Sequence, residues 1–108
     1  FPGNENIYCR EWDITNPKVN AIVFPMIDEI LTAFNAQGLH MGMDELFLIG
    51  AKESPNTFGK DPGKLFAQAI NEFHDYFTKK KGITLYMWGD RLIDGKLYPY
   101  GEWESSLN

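Results

Sequence analysis

The stretch His40-Met41-Gly42-Met43-Asp44-Glu45 places two adjacent carboxylates at the end of a short apolar segment. Read with the alternation of a strand, His40, Gly42 and Asp44 face one way, while Leu39, Met41 and Met43 face the other. The first face is polar with a gap at its centre, and the second is hydrophobic packing surface. A strand covered by helices on one side and lining a pocket on the other has this pattern. Glu45 follows where the strand should end, so its side chain is free of the alternation and can turn toward the pocket of Asp44. Two carboxyls in one cleft separate in pKa, because ionising one disfavours ionising the other. That yields one charged group and one proton donor at the same pH. An isolated Asp-Glu pair at a strand end is most often a solvated turn; His40 and Gly42 on the pocket-facing positions favour the chemical reading.

The elements that would position these groups are legible on either side. Asn16-Pro17 reads as a helix start, with Asn as N-cap and Pro at the first helical position. Val19, Ile22, Val23, Met26, Ile27, Ile30, Leu31 and Phe34 then recur at three- and four-residue spacing, the stripe of an amphipathic helix. Pro25 predicts a kink or a local break in it, and Gly38 a C′ terminator. A strand is expected from Leu39 to about Asp44. Leu46-Phe47-Leu48-Ile49 stays apolar, and Gly50 through Lys60 reads as a loop. Asp61-Pro62 repeats the start signal, and Leu65, Phe66, Ala69, Ile70, Phe73 and Phe77 form a second helical stripe ended by Lys79-Lys80-Lys81 and Gly82. The second strand, Ile83 to about Trp88, divides like the first. Ile83, Leu85 and Met87 form an apolar face, and Thr84, Tyr86, Trp88 and then Asp90 the other. Phe1 to Thr15 shows no clear period.

The order is helix, strand, helix, strand, with connections suited to neighbouring parallel strands joined by a right-handed crossover. Both strands carry their functional-looking residues at the C-terminal ends, where parallel α/β architectures place active sites. The expected fold class is therefore α/β, a partial (β/α)8 TIM-barrel segment. Residues 1–108 are expected to form one segment of such a barrel with no second domain among them, since two units alone cannot close it.

Composition narrows the partners. The 108 residues suit one modest domain, and 15% are aromatic, several in stretches that read as loops. Carbohydrate sites use aromatic faces in this way, since the apolar face of a pyranose stacks on them. A formal charge of −5 argues against a nucleic-acid partner. The lysine run falls where a helix should end and reads as dipole complementation. Cys9 stands alone, which leaves no disulfide framework and no zinc constellation to expect, and no metal is assigned to the site. No apolar run approaches bilayer length and no signal-peptide pattern is read in these residues, so no membrane partner is expected. Phe1 in place of Met and the ending Ser105-Ser106-Leu107-Asn108 suggest processing, or excision from a longer chain.

His40 to Glu45 resembles the His-x-Gly-Gly-Asp-Glu signature of glycoside hydrolase family 20, the β-N-acetylhexosaminidases. Thr15-Asn16-Pro17 and the apolar helix ending at Phe34 are similar to what precedes that strand in the family. Tyr86-Met87-Trp88-Gly89-Asp90 looks like the next barrel strand, which there carries a Trp that walls the sugar pocket. Gly101-Glu102-Trp103-Glu104 resembles a further pocket segment. The departure is Met43, which stands at the second Gly; by alternation it points outward, so the change should alter packing rather than the pocket.

The resemblance implies an exo-acting β-N-acetylhexosaminidase that hydrolyses terminal N-acetylhexosamine with retention. The substrate supplies its own nucleophile, an exception to the two-carboxylate scheme. Glu45 would be general acid and then base, and Asp44 would hold the 2-acetamido group and stabilise positive charge on it. Trp88 and Trp103 would contact the sugar, with His40 as substrate contact or as a buried group one layer back. His74 reads as a surface residue, and Asp90, Glu102 and Glu104 as solvated. No cofactor is implied, and a periplasmic or extracellular parent is favoured. Two alternatives remain: a glycan-binding or degenerate hydrolase-like barrel segment, and a self-contained small α/β domain whose Asp-Glu pair is a turn. As part of a barrel, the isolated chain should be inactive and should self-associate through open strand edges and bare helix faces.

Overall fold

The computed structural model of the protein describes residues 3–4 and 9–93, with side chains from Glu11 onward. Trp103, Glu102 and Glu104 lie outside the described residues. The aperiodic beginning contributes β1 (Gly3–Asn4) and β2 (Cys9–Arg10), an antiparallel pair with Gly3 opposite Arg10.

Helix α1 spans Pro17–Ala33, with Pro17 in its first turn. The Asn16 Oδ1 accepts the Lys18 N–H at 3.0 Å, as an N-cap should. The helix continues through Pro25 instead of breaking there. Pro25 withdraws the donor that would satisfy the Ala21 carbonyl, and both residues are exposed, so water can take that place. The terminator is also different from the one expected. Asn35 takes the left-handed conformation, with φ of 47°. Its N–H reaches the Thr32 carbonyl at 3.2 Å while the Ala36 N–H reaches that of Leu31 at 2.9 Å, a Schellman ending with Asn at C′. Gly38 instead opens β3 (Gly38–His40), where a Cβ would come within 3.0 Å of the Tyr86 ring. Close approach, rather than handedness, is what this glycine serves.

Strand β3 pairs in parallel with β4 (Thr84–Tyr86), in the register Gly38 to Thr84, Leu39 to Leu85 and His40 to Tyr86. Between them lie a turn-rich loop and α2 (Pro62–Phe73), capped by Asp61, whose Oδ1 accepts the Lys64 N–H at 3.1 Å. The helix runs on as a π-helical turn over His74–Lys79. Gly82, at φ of 70°, ends it as expected, with the Ile83 N–H reaching back to the Phe77 carbonyl at 2.9 Å.

The core is the space between these helices and one face of the two-stranded sheet. Phe24 and Leu31 of α1 meet Phe77 and Ile83, with Leu39 and Leu85 of the strands packed against them. The Phe24 ring lies 4.8 to 5.1 Å from those of Phe73, Tyr76 and Phe77. Polar ties join α1 to α2 and to the segment that continues it: Asn20 donates to Glu72 at 2.6 Å, the Tyr76 hydroxyl of the π-helical turn donates to Asp28 at 2.6 Å, and Lys81 reaches the same carboxylate. Lys81 is thus a cross-helix partner rather than only a helix-end charge. The other sheet face, with His40, Thr84, Tyr86 and Trp88, is exposed. The architecture is a small α/β segment, two helices over a parallel strand pair.

Because Asn35 holds a left-handed conformation that Gly adopts freely, Asn35→Gly should raise stability by about 0.5–1 kcal/mol and Asn35→Val should lower it. Thermal melts of the two variants against wild type test the assignment.

Candidate functional site

Strand geometry ends earlier than the alternation pattern predicts. Past His40, the Met41 N–H still donates to the Tyr86 carbonyl and the Trp88 N–H to that of Gly42, each at 2.9 Å. The backbone then turns left-handed at Gly42 and Met43, both with φ of 76°, and again at Glu45 with φ of 47°. Gly42 does this without penalty, whereas Met43 and Glu45 do so at a cost on the order of 1–2 kcal/mol each. One consequence overturns the expected facing. Asp44 lines a cavity of about 240 Å³ together with Met41, Met43 and Leu46, closed on the helix side by Val19 and Phe73. It does not share a strand face with His40. Both Asp44 and Glu45 are exposed.

On the bare sheet face, His40 and Trp88 meet. Their ring centroids are 5.2 Å apart with the planes at 56°, and Trp88 remains 58% exposed. The His40 Nδ1 accepts the Gly42 N–H at 3.1 Å, which in the neutral ring leaves the proton on Nε2, directed away from the loop backbone. His40 is exposed and so is not the buried structural group that the sequence left open. The Glu45 N–H donates to the Asp90 Oδ2 at 3.0 Å, two residues beyond Trp88. The acid-bearing loop and the segment after β4 are therefore joined at Gly42–Trp88 and at Glu45–Asp90. Four expected site residues, His40, Asp44, Glu45 and Trp88, fall on these two adjoining segments; the fifth, Trp103, is not described.

Three residues that the sequence did not single out, or discounted, organise the loop from beneath. Glu11 is 6% exposed and accepts the backbone N–H groups of Phe47 and Leu48, the latter at 2.8 Å. Burial pushes its carboxyl above the ordinary range, against those two donors and the charge of Arg91, which favour ionisation. Arg91, 8% exposed, sits with its guanidinium carbon 5.0 Å from the Phe47 ring centroid. Burial lowers its pKa while the charges of Asp90 and Glu11 oppose that shift. Asp90 is half-buried with Oδ1 sealed from solvent, not the solvated loop residue expected. Glu11 lies in the aperiodic beginning, which offered no signal. The adjacent opposite charges of Asp90-Arg91 just past a strand end could have been read as a pair. His74 is exposed beside Asp75 at 3.8 Å, an ordinary surface contact.

Among the described residues, no three or more His, Cys, Asp and Glu side chains are grouped to hold a metal, and no helix is long and apolar enough to cross a membrane.

The glycines flanking the site differ in what they need. Gly42→Ala meets no crowding, its nearest neighbour being 3.7 Å away, but must hold φ of 76°. It should cost about 1 kcal/mol. Gly89, at φ of −102° with open space around it, should accept Ala with no loss. Urea titration of both variants compares them directly. No protein-family model matches the chain, and no curated protein matches its sequence.

Proposed function

We propose that this chain is part of a larger (β/α)8 catalytic barrel, resembling glycoside hydrolase family 20, that removes terminal N-acetylhexosamine residues from glycans with retention. In this reading the substrate's own 2-acetamido oxygen attacks the anomeric carbon. Glu45 protonates the departing glycosidic oxygen and then activates water as a base. Asp44, whose side chain lines the helix-side cavity, turns toward the Trp88 face when substrate binds, where it orients the acetamido group and stabilises its developing positive charge. Trp88, with His40 beside it, packs the apolar face of the sugar and favours the compact attacking geometry. Trp103 would add a further wall. The reaction calls for no cofactor or metal, and a periplasmic or extracellular setting suits such a glycosidase.

The observation that carries this reading is the His40–Trp88 ring pair on a bare sheet face, beside the Asp44–Glu45 loop and at the C-terminal ends of two parallel strands. The idea of a larger barrel draws support from α1. Its residues Ile22, Met26 and Ile30, with the C-cap Phe34, form an apolar ridge at four-residue spacing that is 64, 57, 55 and 80% exposed. A ridge of that size on one helix is surface that a neighbouring barrel helix would cover. A second reading, glycan binding without hydrolysis, draws on Met43. It stands where the family signature has Gly, and it shares the helix-side cavity with Asp44.

Glu45→Gln in the full-length protein should lower kcat/KM for a chromogenic β-N-acetylglucosaminide by about 10²–10⁴-fold with the fold intact. Substantial residual turnover would remove Glu45 as proton donor, and wild-type sugar binding without turnover would favour the second reading. The isolated 108-residue chain should show no turnover and a sedimentation coefficient that rises with concentration. Measurable hydrolysis from it alone would refute the larger-barrel requirement.

A further inference from the structure

We propose that Glu11 and Asp90 are positioning residues, a pair of carboxylates that clamp the backbone of the acid-bearing loop at two places with Arg91 as their common counter-charge. The loop from Gly42 to Leu48 lies in neither helix nor strand, so its amide donors need partners from elsewhere. Three of them find carboxylates distant in sequence: Glu45 at Asp90, and Phe47 and Leu48 at Glu11. Glu11 follows β2, and Asp90 begins the short 3₁₀ turn Asp90–Leu92 that follows β4. The two holding points thus belong to different elements of the chain.

Left-handed φ at Met43 and Glu45 persists only where surrounding structure over-determines it. The clamp supplies that determination. Bonds from backbone N–H to an ionised carboxylate are stronger than neutral ones, and Glu11 makes two at once. Leu48, 1% exposed, seats the far end of the segment, and the Arg91 guanidinium lies over the Phe47 ring, favoured by the charges of both carboxylates. With both ends held, the exposed side chains of Asp44 and Glu45 project from a backbone whose course is settled before any ligand arrives. Their role as reacting groups rests on the hydrolase reading above; the clamp itself does not.

The test separates the two. Hydrogen exchange is followed by mass spectrometry on the full chain, comparing a peptide over 44–49 with one inside α1. Glu11→Ala and Asp90→Ala should each speed exchange at 44–49 by about tenfold or more while α1 changes little. Glu11→Gln and Asp90→Asn, which keep an acceptor oxygen but lose the charge, should restore part of the protection. Exchange at 44–49 that stays at the wild-type rate, or rises only in step with α1, overturns the clamp. So does failure of the amide variants to rescue. If Glu11→Ala does not fold, the Asp90 pair alone decides. Where the full-length protein hydrolyses a chromogenic N-acetylglucosaminide, Asp90→Ala should lower kcat about tenfold or more with KM little changed, and Asp90→Asn should recover it. An unchanged kcat with faster exchange would retain the clamp and refute its bearing on the chemistry.

Discussion

The arrangement around Asp44 and Glu45 depends on where the backbone N–H groups of residues 45 to 48 go. Beyond Gly42 the chain has no ladder or helix to pair with, and unpaired donors cost on the order of 1–3 kcal/mol each when buried. Glu11 and Asp90 take three of those donors. Each is in turn held in a partly or wholly buried place that an isolated carboxylate would not tolerate, which is why a buried Arg91 accompanies them. The loop, the beginning of the chain and the turn after β4 therefore form one electrostatic unit, and removing any member leaves another charge or donor uncompensated.

That unit sits on a one-sided scaffold. The helices cover one sheet face with the Phe24, Leu31, Phe77 and Ile83 core, so alternation in β4 sends Thr84, Tyr86 and Trp88 the other way, into solvent. His40 reaches the same side from β3 and meets Trp88 because the parallel register sets it beside Tyr86, two residues short of the indole. Leu39 and Leu85 bind the sheet to the core, and the same backbone course that buries them presents the ring pair. Packing and presentation are two faces of one register.

What could be read from sequence was what local chemistry decides. Both Asn/Asp-Pro helix starts, both amphipathic stripes, the Gly82 ending and the division of β4 into two faces follow from capping, periodicity and alternation. The misses have a common cause in interactions across the fold. Asn35 and Gly38 both suit a helix ending, and the ring of Tyr86, 48 positions after that glycine (86 − 38), decides that the glycine belongs in the strand. Asp44 leaves the strand face because left-handed Gly42 and Met43 intervene, and nothing local to Met43 predicts such a φ. Glu11 was invisible because its partners lie 36 and 37 residues away. The (β/α)8 architecture goes further than two strands reach; what they display is a parallel α/β segment.

Glu11 also raises the question of why a buried acceptor should be an acid. Its carboxyl titrates above the ordinary range in the fold, so ionisation opposes folding: its contribution is greatest below the unfolded pKa and is lost as pH rises through the folded one. A neutral amide would avoid that penalty and could still accept from Phe47 and Leu48. The acid does something the amide could not, which is to balance Arg91, itself buried and shared with Asp90. Arg91 holds its charge at any physiological pH, and with Gln at position 11 the cation would face a single carboxylate. The acid at Glu11 follows from the cation at Arg91, and Arg91 from Asp90, the residue that fixes Glu45. The charge of a residue in the aperiodic beginning of the chain is thereby tied to the backbone position of the proposed proton donor.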